Sequence, residues 1–232
     1  MQNHLITRFI AVAITCAASS LLASADENGQ AKKPDKPKAV EVAVDISETP
    51  ELKEFADKAK ELIEKWHPKI AEMLKSDGFT PPSEVTLVFK KDMRGVAHTS
   101  GKTITIAAAW IKKHPDDYGM VVHELTHVVQ DYRRENRNAG WLVEGIADYV
   151  RYFKYEPNTK LGRINPDKAS YRDGYGTAAR FLAWIEKTHD KDIVGKLNVA
   201  LRKGEYKEDL FKESTKKSLD ELWADFLKAE KE

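Results

Sequence analysis

The chain has 232 residues, 41% of them hydrophobic, with 38 Lys and Arg against 37 Asp and Glu and a formal charge of +1. That near balance excludes the strongly basic surface by which a protein holds nucleic acid or an anionic membrane through charge. A single cysteine, Cys16, excludes a disulfide within the chain, so a hydrophobic core must carry the fold, helped by any metal.

The chain opens with MQNHLITR, which carries Arg8, followed by the apolar run FIAVAITCAASSLLA and the small-residue site Ala23-Ser24-Ala25. This is the three-part layout of a secretory signal peptide over residues 1–25. The apolar run is shorter than the roughly 20 residues a membrane span needs. Cys16 raises the question of a lipid anchor, but Thr15 is a poor residue before a lipidated cysteine and too few apolar residues precede it. The expectation is export to the periplasm or the outside, with no stable membrane anchor. Cleavage after Ala25 removes Arg8 and no acid, which brings the bases level with the acids, and it leaves a chain without cysteine. DENGQAKKPDKPK, residues 26–38, reads as a disordered spacer, and residues 39–232 as one domain.

AVEVAVDI, residues 39–46, alternates as a strand does. Over 50–75, Leu52, Phe55, Ala59, Leu62, Ile63, Trp66, Ile70 and Met73 recur at helical spacing among Lys and Glu. Pro81-Pro82 breaks the chain before a second predicted strand, EVTLVFKK, residues 84–91. The polar DMRGVAHTSG reads as a connection in which His98 is an isolated loop histidine. KTITIAA, residues 102–108, alternates strictly and is the third predicted strand. From Asp116 onward the pattern is helical, with segments near 116–132, 139–154, 174–188, 191–202, 206–213 and 217–230. A few strands followed by many helices predict an α+β fold: a small N-terminal mixed sheet, then a mainly helical C-terminal half.

Within the first helix of that half lies HELTH, residues 123–127. A helix turns about 100° per residue, so with His123 at zero His127 stands at about 40° and Glu124 at about 100°. Val121, Val122, Leu125, Val128, Val129 and Tyr132 fall between roughly 140° and 260°. One face is apolar, and the opposite face carries two imidazoles flanked by a carboxylate. Two histidines do not complete a catalytic zinc site, which takes three protein ligands and a water. Gln130 and Arg133 stand where a metzincin would have Gly and His, so that class is excluded. The next candidate is WLVEGIADYVRY, residues 141–152, where Glu144 and Asp148 lie one turn apart on one face.

HELTHVVQDY, WLVEGIADYVRY, GYGTAARFLAWI and KSLDELWADF, in this order, resemble the basic secretory proteins of plants and their bacterial relatives, which are classed with zincin-like peptidases. The resemblance runs from about residue 40 to 229. It implies a zincin-like fold with the HExxH helix packed on the sheet, one zinc ion per chain, and Glu144 as third ligand beside His123 and His127. It also implies that Asp148 orients a ligand histidine, a role that follows independently because a metal-bound imidazole nearly always donates its other N–H to a carboxylate or carbonyl. The chain departs from the plant proteins in its neutral charge and its lack of cysteine after residue 25, so neither a preference for acidic surfaces nor a disulfide framework carries over.

The expected activity is hydrolysis of a peptide or protein substrate by a zinc-activated water, with Glu124 as general base. Tyr175 is the first candidate donor to the oxyanion and Tyr171 the second, with core packing as the alternative for each. The resemblance further implies that the TITIAA strand edges the cleft and pairs with an extended substrate, with Ala107 and Ala108 leaving room for side chains. Other readings are an exopeptidase or cell-wall peptide hydrolase, for which the sequence names no terminal clamp, and a non-catalytic zinc-stabilised binding protein, which has no need of Glu124.

Overall fold

The computed structural model describes residues 39–132 and 137–231; the segments read as signal peptide and spacer lie outside the described residues. The sheet is built from β1 (Glu41–Asp45), β2 (Glu84–Lys90), β3 (Ala97–Ser100) and β4 (Thr103–Ala107), in the order β1-β2-β4-β3. β1, β2 and β4 run parallel, and β3 is antiparallel to β4. Register aligns Val44 with Leu87 and Leu87 with Ile104, so the alternating apolar residues form one continuous apolar face, fully buried at Leu87 and Ile104 and half-buried at Val44. α1 (Lys53–Met73) connects β1 to β2 and buries Phe55, Ala59, Ile63 and Ile70.

β3 replaces the expected polar connection. It turns into β4 through Gly101 and Lys102, with Ser100 opposite Thr103 and Gly101 at φ 56°, the positive φ that a two-residue hairpin favours. Its residues are half-buried or exposed, so no apolar alternation marks it as a strand.

The helical half begins with a short α2 (Ala108–Lys113) and then α3 (Tyr118–Gln130), which carries HELTH. Asp117 caps α3 by accepting from the Met120 N–H at 3.2 Å, and the same carboxylate accepts from the Trp110 indole at 2.9 Å and from Arg151 at 2.7 Å. Asp131, at φ 38°, ends the helix, so Tyr132 leaves the apolar stripe and donates its hydroxyl to Asn198 at 2.9 Å. α4 (Gly140–Tyr149) continues into a π-helical turn, Val150–Tyr155, where the Glu156 N–H reaches Arg151 O at 2.8 Å. α5 (Tyr175–Thr188), α6 (Ile193–Lys203), α7 (Asp209–Thr215) and α8 (Leu219–Ala229) complete the order. The fold is α+β, with a small mixed sheet and a mainly helical C-terminal half.

Two features hold α3 and α4 in place. Arg202 on α6, 8% exposed, donates to Leu74 O at 2.7 Å and to Val129 O at 3.1 Å, at the ends of α1 and α3. A buried guanidinium is tolerable there because helix C-termini present unpaired carbonyls and partial negative charge. The second feature is the crossing of α4 on α5. A methyl group on Gly145 would stand 2.7 Å from the Ala178 Cβ, too close for two helices to share.

Gly145→Ala should therefore destabilise the protein by about 1–3 kcal/mol through overpacking, although alanine is the better helix former by about 1 kcal/mol. Denaturant unfolding checks this, and an unchanged or raised midpoint contradicts it.

Candidate metal centre

Val121, Val122, Leu125, Val128 and Val129 on α3 are all 0% exposed. Burying these five aliphatic side chains contributes on the order of 10 kcal/mol as an upper estimate. The core therefore sets the rotation of α3, and with it the heading of the opposite face. On that face His123 Nε2 and His127 Nε2 lie 3.1 Å apart. Glu144 Oε2, from α4, is 3.3 Å from the first nitrogen and 3.4 Å from the second. Four ligands placed tetrahedrally at about 2.0–2.1 Å from one ion are about 3.3 Å from each other. These three atoms thus fit three corners of such a shell, and His123, His127 and Glu144 could hold a metal ion.

α4 supplies more than the third corner. It runs antiparallel to α3, since His127 meets Glu144 while His123 meets Asp148 and Asp117 meets Arg151. Asp148 Oδ1 lies 2.6 Å from His123 Nδ1, and because a carboxylate only accepts, Nδ1 carries the hydrogen and Nε2 is left for the cluster. His127 Nδ1 faces Gln130 Oε1 at 2.7 Å.

Burial by itself lowers the pKa of His123, but hydrogen bonds to Asp148 and Glu144 overcome it and raise the value to about 9. Burial raises Glu144, and hydrogen bonds from His123 and His127 override that and lower it to about 2. Without a metal, a proton on His123 therefore supplies the positive charge that the converging donors require.

Glu124 is 6% exposed and stands beside the donor triangle. Thr99 Oγ1, on β3, is 2.7 Å from Glu124 Oε2 and 3.0 Å from the Glu124 main-chain oxygen. A hydroxyl has one proton, and the shorter, charge-assisted contact to the carboxylate is the stronger. Thr99 therefore fixes one oxygen of Glu124 and leaves the other for chemistry. The sequence offered no signal for this contact, which joins an edge strand to a helix 25 residues away.

These groups open into a cleft of about 610 Å³ walled by Val96, Ala97 and His98 on one side and Tyr175 on another. Tyr175 is 57% exposed and its ring lies near-parallel to His123, 12° off, at a centroid distance of 6.2 Å. It has φ 45°, a costly conformation for a bulky residue, next to Gly174 at φ 72°. The charge of Glu144 and then burial raise its phenol pKa, so the hydroxyl keeps its proton and can donate. Tyr171 has the core role instead: it is 6% exposed, packs on Trp141 and Trp223, and donates to Asp220 at 3.1 Å.

Ala107 and Ala108 do not line the cleft. Each is 1% exposed, and β4 is paired on both sides, with β2 and with β3. The strand that edges the cleft is β3, and His98, read as a loop residue, is part of that edge.

A family model described as "Peptidase of plants and bacteria" matches residues 43–226. No curated protein and no solved structure matches the chain.

The raised pKa of His123 sets a proton linkage. Metal entry at pH 7 must displace its proton, so zinc titration calorimetry in buffers of different ionisation enthalpy should report about one proton released per ion. Affinity should rise with pH and level off near pH 9, where the proton is already gone. Binding without proton release contradicts this electrostatic account.

Proposed function

This chain belongs to the basic secretory protein family, the peptidases of plants and bacteria, and from that membership we propose that it is a secreted zinc-dependent peptidase of zincin-like fold and gluzincin-like site. The observation that carries the reading is the triangle of His123, His127 and Glu144 donors with Glu124 beside it in an open cleft. His123 and His127 are the nitrogen ligands, Glu144 the oxygen ligand, and Asp148 holds His123. Zinc held there acts as a Lewis acid that acidifies water and polarises a carbonyl.

The remaining steps belong to the chain's own residues. Glu124, fixed at Oε2 by Thr99, takes the proton of the attacking water on its other oxygen and delivers it to the leaving amine. The Tyr175 hydroxyl donates to the oxyanion as the carbonyl becomes tetrahedral. An extended peptide lies along the free edge of β3 and pairs with it as an added strand.

Cleavage within a chain is favoured over removal of C-terminal residues. Arg151, the only arginine lining the cleft among the described residues, already joins Asp117 at 2.7 Å and Glu156 at 3.4 Å. It offers a terminal carboxylate no uncommitted charge. The partner is a peptide or protein in the compartment reached by export, and residues 39–232 act as one domain.

Glu124→Gln should lower peptide cleavage by about 10²–10⁴-fold while the protein still binds one zinc ion per chain. A cleavage assay on a peptide library, paired with metal analysis, measures both. Undiminished cleavage by the variant removes Glu124 as base, and a wild type that binds zinc but cleaves nothing removes the peptidase reading.

A further inference from the structure

Gln130 lies on α3 one turn after His127, is 1% exposed, and has both ends of its amide engaged. Its Nε2 donates to Val143 O at 3.0 Å, and its Oε1 faces His127 Nδ1 at 2.7 Å. A peptide carbonyl has only lone pairs to offer, so Val143 O fixes which end of the amide turns toward it. The amide oxygen is then the end that meets the ring, and an oxygen can only accept. Nδ1 must carry the hydrogen, which leaves the lone pair on Nε2, the atom in the donor triangle.

We infer that Gln130 is a positioning residue that sets the tautomer and heading of His127 for the metal by relaying from the backbone carbonyl of Val143. Two further observations support the relay. Val143 immediately precedes Glu144, so the turn of α4 that brings the third donor also orients the second imidazole. Arg202 donates to Val129 O at 3.1 Å and approaches Gln130 O at 3.4 Å, which pins the backbone from which the amide reaches. Asp148 does for His123 with a charge what Gln130 does for His127 with a neutral group. A neutral acceptor here avoids a fourth carboxylate beside Glu124, Glu144 and Asp148. The inference rests on the metal reading above.

The test is the zinc dissociation constant at neutral pH, by chelator competition, for wild type, Gln130→Met and Gln130→Glu, with denaturant unfolding of each metal-free form. Gln130→Met keeps the length and removes both hydrogen bonds, so zinc binding should weaken about 10–100-fold. Gln130→Glu keeps an acceptor beside Nδ1 and should hold zinc near wild-type affinity, while losing stability because a carboxylate now faces the Val143 carbonyl. A merely structural glutamine would make affinity follow stability in both variants, and that result overturns the relay. Wild-type affinity in Gln130→Met overturns it too. In the zinc-loaded wild type, nitrogen-15 NMR should find the hydrogen of His127 on Nδ1 and none on Nε2; the reverse overturns the relay whether or not a variant folds. Wild type that binds no zinc removes the metal reading and the relay together. Wild type that binds zinc but cleaves nothing removes only the peptidase reading and leaves the relay to these measurements.

Discussion

Two imidazoles on one helix can share a cation only if each turns a nitrogen lone pair toward it, and an acceptor fixed behind each ring secures that. In this protein both acceptors trace to α4: Asp148 directly behind His123, and Val143 O behind His127 through Gln130. The third donor, Glu144, comes from the same helix. The antiparallel contact of α3 with α4 therefore fixes the site, and much of the remaining fold keeps those two helices at one separation and rotation. The apolar side of α3 is locked in the core, its last turn is held by Arg202, and its first by Asp117, which Arg151 of the π turn also grips. On the far side of α4, Gly145 lets α5 approach closely enough to bring Tyr175 to the cleft.

The electrostatics follow from that geometry. Three carboxylates, Glu124, Glu144 and Asp148, surround two imidazoles in a largely buried space, and such a set is stable only with positive charge at its centre. Against burial, hydrogen bonds to Asp148 and Glu144 raise His123, and those from His123 and His127 lower Glu144. Core burial sets the rotation of α3, and with it the heading of the His123 and His127 donors.

Much of this centre was legible in the sequence because it rests on helical periodicity. His123 and His127 fall on one face and the valines and Leu125 on the other by residue spacing alone. Glu144 and Asp148 stand one turn apart, and the resemblance to the basic secretory proteins assigned their roles. What the sequence concealed depends on strand order and on contacts between distant segments. β3 is short and half-exposed, so nothing announced that a hairpin would place it outside β4, and Ala107 and Ala108 were put on an edge that is paired. Thr99 escaped notice for the same reason. Gln130 was read only as a residue excluding another ligand pattern, since an amide one turn from a histidine has many other uses. The π turn carries no compositional mark, and Arg151 and Tyr152 enter the cleft from it.

The central claim is that α3 and α4 together present two imidazole nitrogens and one carboxylate oxygen to one ion. X-ray absorption at the zinc edge of the loaded protein tests it most directly. The account predicts about four nitrogen or oxygen neighbours at about 2.0–2.2 Å, with the outer-shell scattering of two imidazoles, and loss of one protein oxygen in Glu144→Ala. A shell with one imidazole or three, or one unchanged in Glu144→Ala, would contradict it.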